Sequence, residues 1–134
     1  MKLDRKIRYI PSKLALVIAL VISTSTASAA NISEYNGPVI TFEQIYANPD
    51  DQDLNLNYAR QQAALGDYLT AAASLERMLY TQPNWDSARL FYALCLYHLD
   101  DLEATRRELN ILKTRPLSAD QRKLFKSYKK LAKK

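Results

Sequence analysis

The sequence predicts an all-α protein, a short α-solenoid of antiparallel helix pairs closed by a C-terminal capping helix. Three observations carry that expectation. The 134 residues include two glycines, too few for a sandwich, a barrel or a Gly-rich nucleotide loop. Segments 53–65, 68–81, 86–99 and 102–113 place apolar residues at i, i+3, i+4 and i+7, the period of a helix with one buried face. The chain also matches itself at an offset of 34 residues, an interval at which helical hairpins stack into solenoids.

Taken in order, the elements begin with an address. Residues 1–30 hold Lys2, Arg5, Lys6, Arg8 and Lys13 against Asp4. Nine apolar residues, Leu14 to Ile22, follow, and then the small polar run Ser23 to Ser28. Nine fall short of the ~20 that span a bilayer. Basic, apolar and small-residue parts in that order read as a secretory signal peptide over 1–29, with Ala27-Ser28-Ala29 at the cleavage site. No cysteine lies near that site, which argues against a lipoprotein anchor. The expectation is export, into a periplasm first, with secretion or outer-membrane association as the other destinations.

Segment 30–40, with Gly37-Pro38, reads as a flexible leader to a helical domain over 41–134. Thr41-Phe42-Glu43-Gln44 is a capping box that should start a one- to two-turn helix ending before Pro49. At the 34-residue offset Gly66-Asp67-Tyr68 meets Asp100-Asp101-Leu102, and Tyr58-Ala59 meets Tyr92-Ala93. Leu56 meets Leu90, Leu65 meets Leu99, Leu75 meets Leu109, Met78 meets Leu112 and Pro49 meets Pro83. Each helix pair leaves an apolar stripe it cannot cover alone, so the units must stack. Two units are fewer than the usual minimum of about three, so the flanks should contribute. Ser118-Ala119-Asp120-Gln121, a second capping box, opens a helix over 118–132. Leu124, Tyr128 and Leu131 lie on one side of it, with Phe125 and Ala132 beside them. That helix is expected to cap the stack.

On these residues the chain resembles the tetratricopeptide repeat (TPR) family, with repeats at about 52–85 and 86–116. The first carries Ala59 at the small position of its first helix, Gly66-Asp67-Tyr68 in the turn, Ala71 in the second helix and Pro83 at the close. The second keeps Ala93, Asp100-Asp101, Leu109 and Leu112. Departures are Asn55 and Arg89 in place of the family's tryptophan, Asp100 in place of the turn glycine, and Met78 and Leu112 in place of a small residue. The resemblance implies a protein interaction module whose first helices line a partner groove. Carried over position by position, the resemblance places Asp53, Leu56, Asn57, Arg60, Ala63 and Ala64, then Ser87, Leu90, Phe91, Leu94, Tyr97 and His98 along the groove, with Asn57, Arg60, Leu90, Phe91, Leu94, Tyr97 and His98 as the expected partner contacts. Leu56, Arg60, Leu90 and Leu94 occupy the places where chaperone-binding members clamp a terminal carboxylate. An apolar or aromatic partner segment is expected instead. The alternative is that flanking helices fold over these residues and make them core.

No catalytic residue, metal site or cofactor is expected. One cysteine permits neither an internal disulfide nor a cysteine zinc cluster. Cys95 lies at a packing position, and His98 is the only histidine. The acidic groups at 50–53 and 100–103 fall where helices begin, where carboxylates cap free amides. Charge is divided along the chain: residues 31–105 carry a net −8 and residues 106–134 a net +9. Arg122, Lys123, Lys126, Lys129, Lys130 and Lys133 gather on the last helix. The expected function is an exported TPR-type adaptor for a cell-envelope protein, assisting envelope biogenesis, secretion or surface-polymer assembly. The alternative is association with anionic lipid or polysaccharide through the basic helix. Self-association through the oppositely charged ends fits the same division. Nucleic acid is not expected as a partner of an exported protein.

Overall fold

Helix boundaries in this chain follow its aspartates and two hydroxyls. The computed structural model describes residues 34–133, so the signal segment 1–29 and the first residues of the leader lie outside the described residues. Asp51, Asp67 and Asp101 each accept the N–H three residues on, from Leu54, Thr70 and Ala104, at 2.9 Å. These caps start α2 (Gln52–Ala64), α3 (Tyr68–Thr81) and α5 (Leu102–Ile111). Thr41 and Ser118 form full capping boxes with Gln44 and Gln121 and start α1 (Phe42–Ala47) and α6 (Ala119–Leu131). Helix α4 (Asp86–His98) follows Trp85, which makes no side-chain cap. A 3-10 turn, Leu112–Thr114, extends α5. Among the described residues the structure is all-α and contains no strand. No helix among them is long and apolar enough to cross a membrane.

Both long hairpins turn through the same hydrogen bonds. Asp67 N–H reaches Gln62 O at 2.9 Å and Gly66 N–H reaches Ala63 O at 3.0 Å. Asp101 to Leu96 (3.0 Å) and Asp100 to Tyr97 (3.1 Å) repeat this pattern 34 residues later. This is the Schellman close of a helix, and it needs one left-handed residue. Gly66 takes it at φ 83°, and Asp100 takes it at φ 63° despite its side chain. Gly66→Ala is therefore expected to cost about 1 kcal/mol from backbone strain alone, since an added Cβ would meet nothing within 4 Å. Asp100→Gly should stabilise by somewhat less than that, because the unfolded chain gains freedom. Urea midpoints of the two variants should move in opposite directions.

Helices α2 and α4 each span 13 residues and pack against the helix that follows them. Their approach is set by small residues: Ala59, Ala63, Ala71, Ala88 and Ala93 are fully buried. Leu75, Leu94 and Leu112 fill the space between them, each 1% exposed or less. Thr105, also fully buried, donates its hydroxyl to Asp101 O at 2.8 Å and so leaves no orphan group.

Where the family resemblance calls for tryptophan, two polar latches stand. Asn55, fully buried, donates to Pro49 O at 3.3 Å and to Asp51 O at 2.7 Å, and accepts from Arg77 of α3 at 2.6 Å. Arg89 donates to Pro83 O at 2.7 Å and pairs with Glu108 of α5. Each latch joins the proline before its helix to the helix after it.

Two expectations need correction. The buried face of α6 consists of Phe125, Tyr128 and Ala132 with Leu124 at its margin, whereas Leu131 is 41% exposed. The helix is turned toward its aromatic residues, which join the main core. The leader is also tied down at its end. Ile40 N–H donates to Gln61 Oε1 at 2.7 Å, and Gln61 Nε2 donates back to Ile40 O at 2.8 Å. Ile40 then packs with Ile45 and Tyr58 in a small cluster of its own, apart from the main core.

Candidate functional site

Helix α1 is only six residues long, so one side chain secures it and the rest remain available. Ile45 is buried against Tyr58. The Asn55 latch holds the chain that follows it, donating also to Asn48 O at 3.3 Å. Phe42 and Tyr46, four residues apart and so on one side of the helix, are 64% and 80% exposed. Between them and α3 lies a cleft of about 610 Å³. Its walls are Phe42, Tyr46 and Pro49 on one side and Thr70, Ala73, Ser74 and Arg77 on the other, with Ile45 and Tyr58 at the base. Arg77, the one cation in this lining, is engaged by Asn55. Leu69 and Tyr80, both strongly exposed, extend the α3 side of the cleft through the helical stripe of Ala73 and Arg77.

The residues expected to line a groove divide. Leu90 and Leu94 lie in the core, under the contacts of α4 with α3, α5 and α6, and Phe91 and Tyr97 pack partly buried against it. His98 stands exposed at the end of α4. Its ring stacks on Tyr68 at 4.5 Å and meets Tyr97 edge-on at 5.6 Å. Its Nε2 lies 3.1 Å from the Tyr128 hydroxyl. Burial lowers the His98 pKa and pushes the Tyr128 phenol up to about 12. At neutral pH the phenol keeps its proton, and the two groups share one hydrogen bond whose direction follows the imidazole tautomer. Asn57 and Arg60 remain on the surface of α2, where Arg60 donates to Asn57 Oδ1 at 3.2 Å. Cys95 is fully buried, and burial pushes its thiol up to about 12, so no thiolate is present at neutral pH.

The basic residues of α6 divide in two. Arg122 is half-buried and donates to Arg115 O at 2.6 Å and Lys113 O at 3.4 Å, with its guanidinium 5.3 Å from the Phe125 ring. It holds the α5–α6 connection together rather than facing solvent. Lys123, Lys126, Lys129, Lys130 and Lys133 are exposed. Lys129 and Lys133 border a hollow shared with Arg106, Leu109 and Asn110 of α5.

Sequence reasoning missed both concave places. Phe42 and Tyr46 carry a signal only as an i, i+4 aromatic pair, on a helix too short to show a period. Comparison of the chain with protein-family models, curated proteins and solved structures finds no match.

Proposed function

We propose that this chain is an exported adaptor of tetratricopeptide type that works in the periplasm and holds an apolar, aromatic segment of an envelope protein in the cleft beside α1. Export rests on the tripartite pattern of residues 1–29. The TPR-like solenoid reading rests on the 34-residue spacing and on two hairpins that turn through equivalent bonds at Gly66 and Asp100. Such an adaptor would assist envelope biogenesis, secretion or surface-polymer assembly.

The cleft is the observation that carries the binding role. Its lining is apolar and aromatic apart from the hydroxyls of Thr70 and Ser74, the phenol groups of Tyr46 and Tyr58 and an engaged arginine, so an occupant gains by burying aliphatic or aromatic side chains there. Glu43, Asp50 and Asp51 surround α1, and the half of the chain that contains them is acidic. The segment bound should therefore carry basic flanks. Phe42→Ala with Tyr46→Ala tests this. Both side chains are largely in solvent, so the melting temperature should stay nearly unchanged. Capture of the partner by a photo-crosslinker at Thr70 should fall at least tenfold, as for apolar anchors of an interface. Leu90→Ala should do the reverse and lower stability with little effect on capture. Full capture by the double variant would remove the cleft from the interface.

A further inference from the structure

We propose that the hollow between α5 and α6 is a phosphate-binding site. It measures about 290 Å³ and is lined by Arg106, Leu109, Asn110, Lys129 and Lys133. Three cations, from α5, α6 and the turn that follows α6, thus converge on one concavity, and no carboxylate among the described residues lines it. Nearby, Arg107 pairs with Glu103 at 3.4 Å, Arg115 lies 3.8 Å from Asp86, and Arg122 is engaged by the backbone carbonyls of Lys113 and Arg115. Among the described residues no carboxylate pairs with Arg106, Lys129 or Lys133. Like charges held together without a counter-charge repel one another, and a bound anion relieves that repulsion.

The site is also built. Arg106 donates to Ala132 O at 2.7 Å, which fixes its guanidinium at the end of α6 and leaves its remaining donors for an oxygen-rich ligand. Lys129 is held with its ammonium 5.5 Å from the Phe125 ring centroid. Leu109, buried to 2% exposure, forms an apolar floor that weakens solvent screening on that side. Asn110 adds an amide that can donate to an anionic oxygen. Phosphate, with several charged acceptor oxygens, matches this set of donors better than a single carboxylate does. The phosphate could belong to a lipid headgroup or to a soluble phosphate ester.

The test uses the full chain and four exposed lysines. Lys129→Gln and Lys133→Gln remove a charge at the hollow. Lys123→Gln and Lys130→Gln remove the same charge from the outer side of α6, roughly 60–120° further round the helix. Titration with inorganic phosphate should move the backbone amide NMR signals of Asn110, Lys129 and Lys133 first. Each hollow variant should weaken binding about tenfold, the loss of one charge-assisted hydrogen bond, while each outer variant changes it less than about twofold. Co-sedimentation then identifies the source. Vesicles of phosphatidylcholine with phosphatidylglycerol should retain more protein than phosphatidylcholine alone if a headgroup is bound, and the hollow variants should lose that excess. Phosphate binding with no such excess assigns the site to a soluble ester. Equal weakening by all four variants, or amide shifts spread along the whole of α6, would show a diffuse basic surface and overturn the proposal.

Discussion

Phe125→Ala is expected to destabilise the protein by about 3–5 kcal/mol, the usual cost of emptying a buried phenylalanine site. For a domain of this size that lowers the melting temperature by roughly 12–40 °C. Phe125 is 5% exposed and belongs to the main core together with Leu94, Leu109 and Leu112. Removing 118–134 altogether should cost more, because Tyr128 and Ala132 are lost as well. That total approaches the whole reserve of a small domain. Leu131→Ala is the internal control. With 41% of its surface in water, it should move the midpoint little. Thermal unfolding followed by far-ultraviolet circular dichroism reads all three, and an unchanged midpoint for Phe125→Ala would make α6 an accessory tail.

The second large effect is expected at the Arg89 latch. Its ion pair with Glu108 is largely withdrawn from water, at 11% and 16% side-chain exposure. Arg89→Met leaves the Glu108 carboxylate without its cation and Pro83 O without its donor, at a cost of about 3 kcal/mol, the lower end for a buried pair because some solvent remains. Adding Glu108→Leu should recover most of that loss, since a pair removed together leaves no stranded charge. A double-mutant cycle in urea gives the coupling directly. If the second substitution adds to the damage, the pair stabilises the fold outright.

Much of the chain's local structure could be read from sequence because its signals are local. The boxes at Thr41 and Ser118 need only residues three apart, and the helix starts at Asp67 and Asp101 announce themselves through the 34-residue match. The rotation of α6 could not be read in the same way. Leu131 and Phe125 are equally apolar, and only the surface offered by α4 and α5 selects between them. The burial of Leu90 and Leu94 could not be read for a related reason. Both lie on an apolar stripe of α4, and only its packing against α3, α5 and α6 together decides that this part of the stripe is core. The cleft and the basic hollow each combine residues from different helices, such as Phe42 with Ala73 or Arg106 with Lys133. No spacing along the chain encodes such meetings.

The small cluster of Ile40, Ile45 and Tyr58 has a consequence for how the cleft behaves in time. Because α1 rests on that cluster and on a few polar bonds, while α3 belongs to the main core, native-state hydrogen exchange is expected to show α1 opening at lower free energy than α3. On that expectation one wall of the cleft opens more readily than the other. An occupant lodged between them holds α1 in place through its own contacts, so part of its binding free energy goes into ordering that wall. The cleft thereby acquires an adjustable width, set at one edge by the Gln61 bonds to Ile40 and at the other by whatever it encloses.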